Sequence, residues 1–199
     1  DYGQGFYCTE HIELAKEWAC SEDVDGYVTS YRLDLNSLNI LNLSSDEFTI
    51  LNWLALLIDN RKIRYTSPIA KRGHNWLHTH FLPDTSNADI IIGYRADDSY
   101  FSFARAFLNN EISLKQLNFA MKLGNLGEQV VLKSPKAFQH IQFDSYISVD
   151  ASEYYIKRKV RDSRARARYF QELEKEDVDG LYLRDLIREE VLPNDPRLR

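Results

Sequence analysis

The sequence predicts a mixed α+β domain, and three observations carry that reading. Segments rich in Ile, Val, Tyr and Thr interleave with amphipathic helical segments, but in no regular alternation. The irregular order argues against a doubly wound parallel sheet. The composition, 44% hydrophobic and 28% charged over 199 residues, is that of a chain that buries a core. Gly and Pro number only 8 and 5, and no Ser/Gly/Pro-rich stretch marks a linker. One domain over 1–150 is expected, with a basic helical extension over 151–199 packed on it.

Taken in order, Gly5–Thr9 reads as a short strand. Thr9 is placed to cap a helix from His11 to Cys20 that carries Ile12, Ala15, Trp18 and Ala19 on one side. Gly26–Leu35, with Tyr, Val and Thr in partial alternation, predicts a strand, and Leu38–Leu43 is expected to pair beside it. Ser45 or Asp46 is placed to cap a buried helix running to about Ile58. Pro68 fits the first turn of a helix reaching Leu82. Asp89–Tyr94 gives the strongest buried-strand signal.

Asp97 or Asp98 is expected to cap a helix from Tyr100 to Leu108, and Ser113 one from Leu114 to Leu123, with Gly124 as its stop. Glu128–Lys133 predicts a strand, Ser134-Pro135 a helical turn to His140, and Gln142–Val149 another strand. One long helix is expected from Ser152 to about Lys175, and a short one after Gly180 ending near Glu190. In the long helix Ile156, Val160, Ala167 and Phe170 are expected to face inward.

The net charge of −5 gives no global case for nucleic acid or an anionic membrane. No apolar run is long enough to span a bilayer, and no membrane partner is expected. Asp1–Gly5 has neither the basic nor the apolar part of a signal peptide. The only methionine is Met121, so residues are expected to precede Asp1. Cys8 and Cys20 make no metal-spacing motif and are expected to be reduced. His74, His78 and His80 lie on one predicted helix, but no further ligand accompanies them, and no metal is expected. Lys157–Arg168 carries seven basic residues and one acidic; the acidic stretch Glu172–Asp179 is expected to pair with it, leaving a nucleic-acid footprint as the alternative.

Three blocks stand out for chemistry. The first is Gly3-Gln4-Gly5-Phe6-Tyr7, followed by Trp18 eleven residues after the tyrosine. Two glycines at this spacing allow a tight turn and a close approach of backbone, but the third glycine of a dinucleotide fingerprint is missing. The second block is Ile92-Gly-Tyr-Arg-Ala-Asp-Asp98, and the third is Glu128-Gln-Val-Val-Leu132. Capping is the simpler role for Asp97 and Asp98; Arg95 and Asp97 are kept as substrate-side candidates. In the third block neighbours face opposite sides of the strand, so Glu128 or Gln129, not both, lines an open cleft. The more apolar face belongs in the core, which slightly favours Gln129 for the open side.

Together, and in this order, the three blocks resemble the ADP-ribosyltransferase superfamily. The resemblance is closest to an uncharacterised bacterial ADP-ribosyltransferase-like family with an Asp-Phe-Gly-Lys-Gly-Phe-Tyr block. It covers roughly residues 1–150. It implies a split mixed and antiparallel β core with surrounding helices, and transfer of ADP-ribose from NAD with release of nicotinamide. It further implies that Gly5, Phe6, Tyr7 and Trp18 bind NAD, the Tyr7 and Trp18 rings holding the nicotinamide. Glu128 or Gln129 would support the ribose and the transition state; a glutamine there can hydrogen-bond but cannot supply charge or act as a base. The family's Tyr-His-Gly strand would lie upstream of Asp1, and no histidine here matches it. The acceptor, protein or nucleic acid, is not implied. Proteins of the superfamily are often bacterial toxins or effectors, and by that analogy the resemblance admits an antitoxin or immunity partner and a bacterial or target-cell cytoplasm. A catalytically inactive binding module of the same fold is the competing expectation.

Overall fold

The computed structural model describes residues 1–65, 67–95, 98–122 and 128–199. The elements are β1 (Phe6–Thr9), α1 (Ile12–Ala19), β2 (Gly26–Leu33), β3 (Ile40–Asn42), α2 (Ile50–Asn60), α3 (Pro68–His80) and β4 (Ile90–Tyr94), then α4 (Asp98–Leu108), α5 (Leu114–Lys122), β5 (Glu128–Leu132), α6 (Pro135–Gln139), β6 (Ile141–Val149), α7 (Ala151–Leu173) and α8 (Leu183–Arg188). The fold is α+β, as the irregular order of segments predicts. Asp97 and Gly124, expected as a cap and a stop, lie outside the described residues.

Two sheets form. The larger has the order β1-β5-β4-β3, antiparallel except for the parallel β3–β4 pair. The smaller is an antiparallel ribbon of β2 and β6 with a bulge between Ser30 and Tyr31. The expectation that 38–43 pairs beside β2 therefore fails. β3 instead joins Ile90–Ile92, because its own apolar residues are completed by the most apolar strand of the chain. The helix expected from Ser45 or Asp46 begins only at Ile50, where Thr49 and Asn52 form a reciprocal capping box. Thr9 does not cap α1; its hydroxyl accepts from the His11 amide at 3.1 Å in the turn before the helix.

The larger sheet is covered on both faces. One face, carrying Tyr7, Val131, Ile91 and Leu41 in register, packs on the main core with Trp53, Leu54, Leu77 and Phe107. α2 is buried along nearly its whole length, which its almost unbroken apolar sequence requires. Leu183, Leu186, Val191 and Leu198 join that core, so the C-terminal segment is part of the same packing unit. The other face carries Phe6, Cys8, Ile90, Ile92, Val130 and Leu132. It is covered by Ala137 of α6 and by Leu33, Leu38 and Ile141 at one end of the ribbon. The ribbon's other end packs through Val28 and Val149 on Cys20 of the turn after α1 and on Ala151 and Tyr154 of α7.

The long helix departs from expectation. Ile156, Val160 and Phe170 are 56%, 42% and 62% exposed, and Ala167 is exposed too. α7 is held by its opposite side, where Ala165 is buried and Arg161 meets Glu17 of α1 at 2.7 Å. The packed side joins that ion pair to apolar contacts of Ala151, Tyr154 and Ala165. Nor is the acidic stretch 172–179 the main partner of the basic segment. Lys157 pairs with Glu153 and Glu13, and Lys159 with Glu22.

Candidate functional site

The three sequence blocks come together as adjacent strands. Register places Thr9 opposite Gln129 and Gln129 opposite Gly93, with Glu128 opposite Tyr94. Gly3 and Gly5 make this possible. Gly3 has φ +77°, where a side chain would be strained and would also meet Asn60. A Cβ on Gly5 would come within 2.8 Å of the Leu132 carbonyl, so β1 reaches β5 only because that atom is absent. The Tyr7 hydroxyl then closes the loop, donating to the Gly3 carbonyl at 2.6 Å and accepting from the Tyr2 amide at 3.1 Å.

A cleft of about 620 Å³ lies between the second face of the larger sheet and the ribbon, with α1 along one side. That volume falls within the range of small-molecule sites, roughly 300–1,000 Å³. Phe6, Cys8, Ile92 and Val130 supply its floor, Ile12, Ala15 and Trp18 its side, and Tyr27, Thr29, Tyr31 and Leu33 its roof. Phe6 and Tyr31 meet edge to face across it, with ring centroids 5.6 Å apart. On the roof, Tyr31 contacts Phe143, and Tyr27 contacts Tyr146.

Trp18 is the most informative residue of the side wall. Its indole Nε1 is buried with no hydrogen-bond partner among the described residues. An apolar setting makes such a donor costly unless an acceptor arrives. The Arg95 guanidinium lies over the Trp18 ring, one planar cation on an aromatic face. Tyr7 also contributes to the cleft lining, but its ring is packed against the main core, and no ring contact joins it to Trp18.

The two sides of β5 separate the acidic and amide candidates, and here the face expectation is corrected. Val130 lines the cleft, and Glu128 holds the alternate strand position, but neither Glu128 nor Gln129 is among the lining residues; Glu128 lies at the strand's end near Tyr2 and Tyr94, which pack on the main core. Gln129 is only 5% exposed and belongs to the side that meets the main core. Its Nε2 lies 3.5 Å from Asp1 Oδ2, and its Oε1 is buried without a partner. The rule that the more apolar face is core fails because both faces of this strand are covered. Half-buried Glu128 is close to Tyr94: burial first, and then the negative charge of Glu128, push the Tyr94 hydroxyl above its ordinary pKa.

Cys8 faces the cleft, but burial pushes its thiol up to about 11, so it stays protonated at neutral pH and is a poor nucleophile. Cys8 and Cys20 are both free thiols. His74 does not meet a metal-like set. Its Nδ1 lies 2.5 Å from the Tyr65 hydroxyl, His78 lies 3.5 Å from Asp59, and the His80 ring lies tilted beside Trp76. Among the described residues no group of three or more His, Cys, Asp or Glu is arranged to hold a metal ion. No described helix is long and apolar enough to cross a membrane.

The ribbon aromatics Tyr27 and Tyr31 are cleft residues that sequence reasoning missed; Phe143 and Tyr146 of β6 contact their rings. The signal was present: Tyr27, Thr29, Tyr31 and Leu33 alternate on β2, but the bulge at Ser30 and Tyr31 breaks the matching alternation on β6.

No curated protein and no solved structure matches the chain. A family model described as a protein of unknown function (DUF3990) matches residues 1–143 of the 199, which takes in both walls of the cleft up to Phe143. On that match, the chain belongs to the DUF3990 family.

Proposed function

We propose that the cleft binds NAD and transfers its ADP-ribosyl group to an acceptor, releasing nicotinamide. One observation carries this reading. Three blocks far apart in sequence, each resembling a part of an ADP-ribosyltransferase, form adjacent strands whose one face floors an aromatic cleft flanked by Trp18. The residues suit the substrate. With Arg95 displaced from its ring, Trp18 would offer a face to a planar pyridinium, and its unpartnered donor suits a carboxamide carbonyl. Phe6 and Gly5 bring β1 close beside it.

In the reaction the bond between the nicotinamide nitrogen and ribose C1′ breaks, and its electron pair leaves with neutral nicotinamide. The acceptor's nucleophile forms the new bond to C1′ and gives up its proton. The task of the protein is to stabilise positive charge developing at C1′. Glu128, the carboxylate two residues before the cleft-lining Val130 on β5, suits it from the rim; Gln129, turned to the core, suits a supporting place behind the strand. The assay is nicotinamide release from NAD, comparing the chain with Glu128→Gln, Gln129→Ala and Trp18→Ala. Loss of at least about a hundredfold in rate with Glu128→Gln is expected. Equal rates in Glu128→Gln and the parent would remove Glu128 from the chemistry, and no release with any protein or nucleic-acid acceptor would sink the transferase reading.

The second reading is a module that binds NAD without turnover. It is favoured by Arg95, which already fills the stacking position over Trp18. Binding of NAD by calorimetry without nicotinamide release would establish it.

A further inference from the structure

The outward side of α7 presents apolar residues largely to solvent. Ile156, Val160, Ala167 and Phe170 fall within about 80° of the helix circumference and, with Ser163 among them, form a mostly apolar ridge more than three turns long. All four are exposed. Cations rim this ridge on both sides, Lys159 and Arg166 along one and Lys157, Arg164 and Arg168 along the other. Lys157 and Lys159 are engaged by carboxylates of their own fold. Arg164, Arg166 and Arg168 are exposed, and no ion pair engages them among the described residues. The ridge and these arginines lie beyond residues 1–143, outside the part that matches the family.

We infer that this side of α7 docks an acidic amphipathic helix of a partner protein. An apolar ridge framed by cations is complementary to a helix with an apolar seam framed by Glu and Asp. A second copy of this chain is the wrong occupant, because two α7 ridges face to face would bring cationic rims together. A nucleic acid would use the arginines but would leave Ile156, Val160 and Phe170 against water or phosphate, where burying them gains nothing. The inference is independent of catalysis in the cleft.

The probe is a fluorescent synthetic three-heptad peptide with Leu at the a and d positions and Glu at e and g, titrated with the whole chain and read by anisotropy. Its counterpart with Lys at e and g and a single-stranded homopolymer RNA are titrated beside it. The Glu peptide is expected to bind at least about tenfold more tightly than the Lys peptide. Val160→Ser with Phe170→Ser, and separately Arg164→Glu with Arg168→Glu, should each weaken it by about tenfold or more. These positions are exposed, so circular dichroism should show an unchanged fold; Ile156→Ser serves if either pair perturbs it. Equal binding of the two peptides, or binding indifferent to the ridge substitutions, would overturn the inference. So would RNA binding that is tighter, steep in salt and insensitive to Val160 and Phe170, or a dimer in sedimentation that Phe170→Ser dissolves.

Discussion

The four-stranded sheet and the β2–β6 ribbon use the same element type for opposite ends. In the sheet, Ile90, Ile91, Val131 and Leu132 are fully buried, and both faces are covered. In the ribbon, Tyr27, Phe143 and Tyr146 are 68%, 59% and 64% exposed, and only the two ends are packed. The sheet has its apolar residues satisfied by its own chain. The ribbon has aromatic residues held in place by neighbours and left open on one side. The difference teaches where stability resides, in the covered strands, and where the proposed recognition would act, across the gap between the two sheets.

That division can be broken most strongly at Ile91. Ile91→Ala removes a fully buried side chain between β3 and β5 and should lower unfolding free energy by about 3 kcal/mol, read from urea denaturation. If Phe143→Ala cost as much, the ribbon would be part of the core after all. A change within about 0.5 kcal/mol is expected there instead.

The next largest effect concerns the stacked pair on the side wall. Removing Arg95, as Arg95→Ala, bares the Trp18 face, and affinity for nicotinamide or NAD should rise by up to about tenfold in a fluorescence titration. Trp18→Ala should lower it. Weaker binding in Arg95→Ala would show that the guanidinium helps to hold the ligand and does not compete with it.

A smaller effect is expected on the roof. Tyr31→Ala should leave the melting temperature near the parent value and weaken NAD binding by about 1 kcal/mol, through loss of a ring opposite Phe6. Unchanged binding with a lower melting temperature would reverse the roles given to the ribbon.

The smallest effect is pH-dependent and belongs to the covered sheet. Asp89 accepts from the Asn39 amide at 2.9 Å and from the Ser134 hydroxyl at 2.5 Å, joining the approaches to β3 and β4 to the exit from β5. The Asn39 amide first, and then the Ser134 hydroxyl, hold its carboxyl below the usual carboxylate range. The native state therefore binds this proton less readily than the unfolded chain. Stability from the network is present above about pH 3.9 and is lost as pH falls through the lower native value. The melting temperature of Asp89→Asn should be lower near neutral pH and should fall less steeply on acidification.

Much of the architecture was legible because it rests on local chemistry. The run Ile90–Ile92 announces a strand covered on both faces, Pro68 and Pro135 sit at the first turns of α3 and α6, and Ser67 and Ser134 cap those helices. What was not legible depends on partners distant in sequence. Which side of β5 faces the cleft is decided by the ribbon, and no pattern within Glu128–Leu132 contains that information. The side on which α7 packs brings Arg161 to Glu17 of α1 and Ala151, Tyr154 and Ala165 to partners far away in sequence, which the helix's own apolar stripe does not reveal. Of the site, the blocks around Gly5, Trp18 and Glu128 were readable, because turn glycines and an aromatic at fixed spacing are local features. Arg95 over Trp18 was not, since their side chains meet only after β4 is seated beside β5.

The pairing of Phe6 with Leu132 has a consequence for how the molecule comes into being. A strand near the beginning of this sequence must wait for one more than a hundred residues later, and closing so long a loop is entropically slow. During synthesis α1 and β2 emerge early with nothing to enclose. A ribosome-bound chain halted before β6 carries the roof strand β2 without its ribbon partner, so the gap is enclosed by the paired ribbon only once β6 has been made.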